Sequence, residues 1–341
     1  MKRIDSVTGL KGIAILMIVL IHTAFNGQYC IDGYLYNEII MNLGIFVQLF
    51  FMLSAFGMCC GYYEKIKNNS INLNQFYSKR YKKILPFFAI IVLADLVASG
   101  INFHSLKEAF LDLTLIYGFL PKGNIEVVGI GWTLGVIFAF YILFPFFVFL
   151  LWNKRRAWFV LGVSLIIKFT CGDFFVNDKS TVMVNIVLWS TYFIVGGIIY
   201  LYKDWLVDII KGKRIIPLML IAIAIILGIV NSIYWKIDYI ASMTTLVGFS
   251  LVLVYAITGR SLILESKFLQ HIGKYCLEIY LSHMMIFRVL EKLSISTVIK
   301  NDIMSLIVMY LLTCVVTMGF SVIANRLISK VGNKINERIN A

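Results

Sequence analysis

Apolar segments of spanning or near-spanning length recur ten times along this chain of 341 residues. They cover residues 8–25, 43–62, 84–101, 130–152, 157–170, 183–202, 214–233, 240–258, 272–290 and 303–325. Hydrophobic residues make up 60% of the chain and charged residues 14%, whereas about 25% of a soluble protein is charged. The pattern predicts an all-α polytopic membrane protein with about ten transmembrane helices. The short alternating segments of a β-barrel are absent from the sequence.

Segment 106–120 is apolar but carries Lys107, Glu108 and Asp112. We interpret it as an interfacial or partly buried helix rather than an eleventh span. Neither an internal repeat nor a low-complexity linker divides the sequence, so residues 1–341 are predicted to form one integral-membrane domain. Cys30 and Cys171 fall in loops that we predict on the same side, and the sequence leaves open whether they form a disulfide. No cysteine and histidine cluster indicates a metal site.

The basic residues are concentrated in alternate loops. If the N-terminus lies inside, the inner loops and termini carry 22 lysines and arginines and the outer loops carry 6. This asymmetry predicts an N-in/C-in orientation in a plasma membrane, with residues 326–341 as a short basic cytoplasmic tail. The net charge of +13 is therefore explained by topology, and we expect the bilayer rather than nucleic acid as a partner. The sequence does not indicate an oligomeric state.

The first apolar helix carries Lys11 near its inner end and His22 near its outer end. Eleven residues at 100° each place both side chains on one face, about 16 Å apart along the axis. A snorkelling lysine and an interfacial histidine would each explain one residue. Because ionisable groups are costly in a bilayer, their shared face favours a pair that lines a pathway. A neutral imidazole is suited to general-base chemistry.

A basic cluster precedes the third apolar segment and contains Lys79, Arg80 and Lys83. Ordinary inner-loop topology explains these charges without a ligand. Lysine and arginine also bind phosphate groups, which makes a cytosolic phosphate site the functional alternative. Composition alone favours the topological interpretation.

The ninth segment carries Glu278, His283 and Arg288. Three ionisable groups are too many for a lipid-facing helix, so we expect them to face the bundle interior or a polar cavity. A structural ion-pair network is the alternative. Asp95 and Lys168 are further isolated ionisable residues within apolar segments, and the sequence suggests no partner for either.

Five motifs follow one another in order along the chain. Their residues are Thr8 to Lys11 with His22, Phe50 to Phe56, then Phe76, Arg80, Lys83, Ile84 and Pro86, then Trp132, Thr133, Leu134, Phe140, Tyr141 and Pro145, and finally Gly273, Lys274, Ile279, Tyr280, Leu281 and His283. In this order they resemble the membrane acyltransferase-3 family, ten-helix proteins that O-acylate bacterial surface polysaccharides and related acceptors. The family has a DGLR-like turn followed after ten residues by His, an FFVLSGF-like run, an F-x-x-x-R-x-x-R/K-I-x-P element, a W-[ST]-L…FY…P helix and a G-K-x-S-x-x-I-Y-L-x-H pattern.

The resemblance implies a membrane O-acyltransferase whose donor substrate is acetyl-CoA or another acyl-CoA and whose acceptor is a cell-surface glycan, with no bound cofactor. Lys11 would line the donor route, and His22 would act as the base on the acceptor hydroxyl. The phosphates of the donor would meet Lys79, Arg80 and Lys83. Candidates for the lining of the cavity are Ser54, Trp132, Tyr141, Glu278 and His283.

This sequence departs from the family pattern at two positions. Lys11 occupies a position that is usually arginine, which keeps the charge but not the planar fork of donors. A glutamate that often follows the family's tryptophan is replaced by Ile137 and Phe138, and Glu126 is the nearest acidic substitute. Because this carboxylate is missing, a second function is also considered: a non-catalytic exporter of a polysaccharide or its precursor. A third alternative is a membrane sensory or scaffold module.

Overall fold

The computed structural model describes residues 4–119, 127–170, 185–213, 215–234, 238–258 and 261–340. All regular secondary structure in these ranges is helical, which confirms the all-α part of the predicted fold class. The α-helices are α1 Asp5–Asn26, α2 Phe46–Met58, α3 Glu64–Lys67, α4 Leu73–Ser99, α5 Phe103–Thr114, α6 Trp132–Leu150, α7 Lys154–Thr170, α8 Ile186–Ile210, α9 Ile215–Tyr234, α10 Asp238–Ile257, α11 Lys267–Lys274, α12 Cys276–Lys292, α13 Ile295–Val298 and α14 Asp302–Asn340.

Each of the ten predicted apolar segments overlaps one of these helices. Within the described ranges, six helical stretches are long and apolar enough to cross a membrane. They are Asp5–Asn26, Leu35–Lys67, Gly129–Leu150, Ile215–Tyr234, Tyr239–Ile257 and Asp302–Gly332. The count of ten spans and the N-in/C-in orientation therefore remain predictions. Cys171 and Glu126 lie outside the described residues.

The segment predicted as an interfacial or partly buried helix forms α5. Asn102 caps its N-terminus: the Asn102 side chain accepts from the Ser105 N–H, and the Ser105 hydroxyl accepts from the Asn102 N–H. The helix ends where Leu115 adopts a left-handed conformation. Glu108 and Asp112 on α5 are buried toward the bundle, whereas apolar side chains such as that of Phe110 remain exposed. The two acidic residues of this segment therefore point inward, whereas Lys107 is exposed.

Helix α1 lies at the centre of the bundle and contacts α2, α10, α11, α12 and α14. Its contact with α11 is a backbone-to-backbone approach that depends on glycine. A Cβ atom on Gly273 would lie 1.8 Å from the Thr8 carbonyl oxygen, and one on Gly9 would lie 1.8 Å from the Leu264 carbonyl oxygen. Only glycine fits at such an approach. This close packing therefore fixes the turn of α1 that carries Lys11.

Candidate functional site

A cavity of about 120 Å³ lies where α1, α2, α4, α6 and α12 meet. Three cationic side chains line it, namely Lys11, Arg80 and Lys83. Neutral polar groups add to the wall, and the remaining lining is apolar; the polar contributors are Ser54, Thr133, Tyr141, Cys276 and Tyr280. The described residues that line the cavity include no carboxylate. Like charges that share a small space without a counter-ion favour an anionic ligand.

The guanidinium of Arg80 is held at the cavity wall by aromatic side chains. Its Nη2 donates a hydrogen bond of 2.6 Å to the Tyr62 hydroxyl, and its carbon lies 4.7 Å from the centre of the Tyr62 ring. The Tyr141 ring centre is 5.9 Å away on another side. The Arg80 Nε is buried and donates to no described residue. Stacking fixes the plane of the guanidinium and leaves a donor for an incoming oxyanion.

Two imidazoles meet beyond the cavity, where α1 packs against α12. The ring centres of His22 and His283 are 5.1 Å apart, in an edge-to-face arrangement. His283 is buried, and its Nδ1 lies 2.7 Å from the Tyr280 carbonyl oxygen. Because a carbonyl can only accept, this contact assigns the proton to Nδ1 and leaves a lone pair on Nε2. That Nε2 is buried and has no hydrogen-bond partner in the described part of the chain.

Tyr280 connects the cavity to this pair of imidazoles. Its side chain lines the cavity, and its ring centre is 5.8 Å from that of His283. Its hydroxyl is 2.8 Å from the Thr133 hydroxyl oxygen and 2.9 Å from the Ile130 carbonyl oxygen at the start of α6. A path of contacting side chains therefore runs from the cationic cavity through Tyr280 to the two imidazoles, which do not themselves line the cavity. Such a path suits transfer of a group from an anionic carrier to a nucleophile that loses a proton.

Comparison with known proteins identifies the family of this chain. The family model of an acyltransferase domain matches residues 4–326. The chain belongs to the acyltransferase-3 family. It is also 30% identical over 139 residues to an uncharacterised protein of Haemophilus influenzae; the match covers 36% of this chain and 56% of that relative. The chain thus spans little more than half the length of this curated relative. No solved structure matches the chain.

Five of the ten predicted site residues do not line the cavity. Two of them, His22 and His283, form the imidazole pair described above. Lys79 is exposed on α4. Trp132 packs among aromatic rings, with ring-centre distances of 6.3 Å to Phe51 and 6.0 Å to Trp189. The Glu278 carboxylate accepts a hydrogen bond of 2.7 Å from the Asn325 amide. The predicted residues that do line the cavity are Lys11, Ser54, Arg80, Lys83 and Tyr141.

The position where the acyltransferase-3 family often carries a glutamate is part of the cavity wall. Ile137 lines the cavity and Phe138 is buried behind it. The wall is therefore apolar at this point in this member of the family. Tyr62 and Thr133 contact functional groups of the site, and sequence reasoning assigned neither a role. Thr133 lies within a family motif, whereas no pattern in the sequence points to Tyr62.

The isolated ionisable residues within the apolar segments have partners in the structure. Asp95 accepts a hydrogen bond of 3.0 Å from Arg288 and one of 2.7 Å from the Val128 N–H. Glu108 accepts a hydrogen bond of 3.1 Å from the N–H of Val127, the residue before Val128. The Lys168 ammonium lies 5.1 Å from the centre of the Tyr192 ring. Arg288 therefore follows the alternative, a structural ion pair: its side chain is half exposed rather than directed into the bundle. Asp95 and Glu108 hold the backbone that leads into α6.

Proposed function

We propose that this protein is a membrane-embedded O-acyltransferase. It moves an acyl group, acetyl in the simplest case, from a cytosolic acyl-CoA to a hydroxyl of a cell-surface glycan. The observation that carries the proposal is the path from three cations to two imidazoles. Membership of the acyltransferase-3 family supports the reaction class. The acyl-CoA donor and the glycan acceptor are implied by the family resemblance, and the cationic cavity is consistent with the donor.

The cationic end of the path suits the phosphates of an acyl-CoA. Arg80 offers oriented donors, and Lys11 and Lys83 add charge on the same cavity. A volume of about 120 Å³ equals about four water molecules at about 30 Å³ each. It therefore admits the narrow pantetheine arm of the donor and excludes the nucleotide. Outside the cavity, Lys79 is exposed one helical turn before Lys83 and adds a positive charge for the nucleotide.

The imidazole end of the path suits proton transfer from an acceptor hydroxyl. His22 Nε2 or Nδ1 takes the hydroxyl proton as the oxygen attacks the thioester carbonyl carbon. A carbon–oxygen bond forms, the carbon–sulfur bond breaks, and the proton leaves with the CoA thiolate as a thiol. His283 keeps its proton on Nδ1 through the Tyr280 carbonyl, so its Nε2 is a second acceptor beside His22. General-base assistance of this kind contributes about 10²–10⁴-fold to a rate.

The cavity holds the phosphate side of the donor. Lys11 adds positive charge beside the phosphates, and Tyr141 and Ser54 supply neutral hydroxyl donors on the same wall. The long pantetheine arm of CoA lets the thioester reach toward His22 while the phosphates remain at Arg80. Lys11 and His22 are about 16 Å apart along α1, which sets the distance that this arm must cover.

The experiment that tests this function compares two histidine variants in cells. His22→Ala removes the proposed base, and His271→Ala removes an exposed histidine of α11 that lies outside the cavity. We expect His22→Ala to abolish O-acylation of the surface glycan and leave the amount of exported glycan unchanged. His271→Ala should change neither quantity. Equal acylation in the two variants would contradict the proposal.

A second candidate function is export of a polysaccharide or its precursor without catalysis. The apolar wall at Ile137 favours it, because a carboxylate common in the family is missing there. The same experiment separates the two functions. Loss of glycan export with acylation intact in His22→Ala would support the exporter and refute the acyltransferase.

A further inference from the structure

A second and larger cavity, of about 540 Å³, lies on the other side of α1. Leu10 and Ile13 line it, and they lie about 100° and 160° around the helix from Lys11 in the same direction. Helix α9 packs along α10 and meets the segment Leu35–Ile39 at one end, where the Tyr34 and Ser232 hydroxyls are 3.0 Å apart. A groove therefore remains between α9 and the helices α1 and α2, with α10 as its floor.

The lining of this groove changes character along its length. Aliphatic residues line most of it, including Ile221, Ile225 and Leu227 of α9. Polar residues gather at the end that we predict to face outside; they are Glu38, Asn42, Asn231, Ser232, Thr244 and Thr245. Ser261 lies at the opposite end, and its hydroxyl already accepts the Leu264 N–H. The gradient suits an amphiphile with a hydrocarbon tail in the groove and a head group at the outer end.

The polar end indicates the chemistry of that head group. Asn231 is buried, and its side-chain oxygen accepts from the Thr244 and Thr245 hydroxyls at 3.2 and 3.3 Å. Glu38 is the charged residue among the groove-lining residues that the structure describes. A carboxylate repels a phosphate, whereas amides, hydroxyls and a carboxylate hydrogen-bond well to a hydroxyl-rich group. The outer end therefore fits a sugar.

The length of the groove indicates the tail. Its lining on α9 runs from Ile221 to Ser232, about 16 Å of helix. The groove then continues toward Leu264, near the start of α11. One leaflet contributes about 15 Å of the hydrocarbon thickness. The groove is thus longer than one leaflet, and it suits a chain longer than that of an ordinary phospholipid.

We propose that this groove binds the long hydrocarbon tail of a lipid-linked glycan, which is the acyl acceptor. This inference rests on the proposed acyltransferase function. The glycan head would lie at the polar end of the groove, beside the outer end of α1 that carries His22. Tethering the tail keeps the acceptor hydroxyl near His22 and raises its effective concentration there.

A glycine on α9 allows the groove to be filled without disturbing the bundle. A Cβ atom on Gly228, which lines the groove, would meet nothing within 4 Å. Gly228→Phe therefore places a ring in the groove. Gly162 of α7 is the matched control, since a Cβ atom there also meets nothing within 4 Å and the residue lies outside the groove. Unchanged elution and thermal midpoint of both variants would show that they fold.

The first measurement is acyl transfer by the purified protein in lipid nanodiscs. The acceptors are a decaprenyl β-glucoside and the water-soluble methyl β-glucoside. We expect Gly228→Phe to raise the KM for the decaprenyl acceptor about tenfold or more, because even one methylene group in a tight pocket is worth about that factor. The KM for the methyl acceptor should not change, and Gly162→Phe should alter neither. An unchanged KM for the decaprenyl acceptor in Gly228→Phe would overturn the proposal.

The second measurement detects binding without catalysis. A decaprenyl β-glucoside with a diazirine in its tail is photolysed with the protein, and labelled peptides are identified. We expect label on residues 221–232 and 244–255 in the wild type and Gly162→Phe, and its loss in Gly228→Phe. Equal displacement by phosphatidylcholine would mean that the groove holds bulk lipid and would overturn the proposal. Labelling as expected in a protein that transfers no acyl group would instead refute the proposed function and leave the groove as a glycolipid site.

Discussion

Replacing Asp112 with asparagine should remove a pH dependence from the stability of this protein. Asp112 lies on α5, outside the predicted spans, and is fully buried. Burial raises its pKa from 3.8 to about 8; the neighbouring charges of Glu108 and Asp95 add to the rise, and the Tyr117 hydroxyl partly opposes it. The folded state therefore keeps a proton that the unfolded state loses above about pH 4. Stability must fall as the pH rises from about 4 to about 8.

The size of this effect follows from the two pKa values. One pKa unit corresponds to 1.36 kcal/mol. At pH 7, which is about 3 units above the ordinary pKa of 3.8, burial of Asp112 therefore lowers the free energy of unfolding by about 4 kcal/mol relative to a carboxyl group whose pKa is not shifted. Between pH 5 and pH 7 the loss is about 3 kcal/mol. For a chain of this length that corresponds to about 4 °C in the thermal midpoint. An asparagine side chain is neutral at every pH and has nearly the same shape.

Thermal unfolding in detergent between pH 5 and pH 8 measures the difference. The wild-type midpoint should fall with rising pH, and that of Asp112→Asn should fall less and exceed it at pH 8. Asp208→Asn on α8, at an exposed carboxylate, is the matched control and should follow the wild type. If the wild type and Asp112→Asn showed the same slope, Asp112 would be ionised in the folded state and the reasoning would be refuted.

Three further substitutions test the site and its support. Lys11→Arg should retain or increase acyl transfer, because it keeps the charge in the cavity and restores the fork of donors usual in the family; steady-state rates of purified protein check it. Arg80→Gln should raise the KM for acyl-CoA by about tenfold or more, since a charge-assisted hydrogen bond is worth about 1.5–3 kcal/mol, whereas Lys79→Gln should have a smaller effect. Gly273→Ala should lower the thermal midpoint and the rate together, because its Cβ would collide with the Thr8 carbonyl oxygen of α1; Gly319→Ala, with open space around it, should lower neither.

Much of the helical architecture could be predicted from hydrophobicity alone. Each apolar segment overlaps a helix because a long apolar run must satisfy its backbone hydrogen bonds within itself. Segment 106–120, which forms α5, could be distinguished from the transmembrane segments because its charged residues are unfavourable within a bilayer. The resemblance assigned Lys11, Arg80 and Lys83 to the donor side, and the structure brings these three side chains to one cavity; their roles there remain predictions. Motifs in a fixed order carry that information even when the helices that bear them are far apart in sequence.

The remaining features of the site depend on packing between distant helices. His22 and His283 form a pair only because α1 contacts α12, and spacing along either helix gives no sign of it. The ion pair of Asp95 with Arg288 joins residues 193 positions apart. The groove beside α9 depends on how far that helix stands from α1, which the aliphatic sequence of α9 does not encode. Sequence patterns identify the faces of helices, and tertiary contacts decide which faces meet.

The most direct test of the central claim is transfer of labelled acetyl from acetyl-CoA to a lipid-linked glycan by purified protein. We predict that the wild type and His271→Ala transfer label at equal rates and release one CoA thiol per acetyl transferred. His22→Ala should bind acetyl-CoA with unchanged affinity and transfer label about 10²–10⁴ times more slowly. Transfer by His22→Ala at the wild-type rate would contradict the assignment of His22 as the base. Absence of transfer by the wild type to any glycan acceptor would contradict the proposed function.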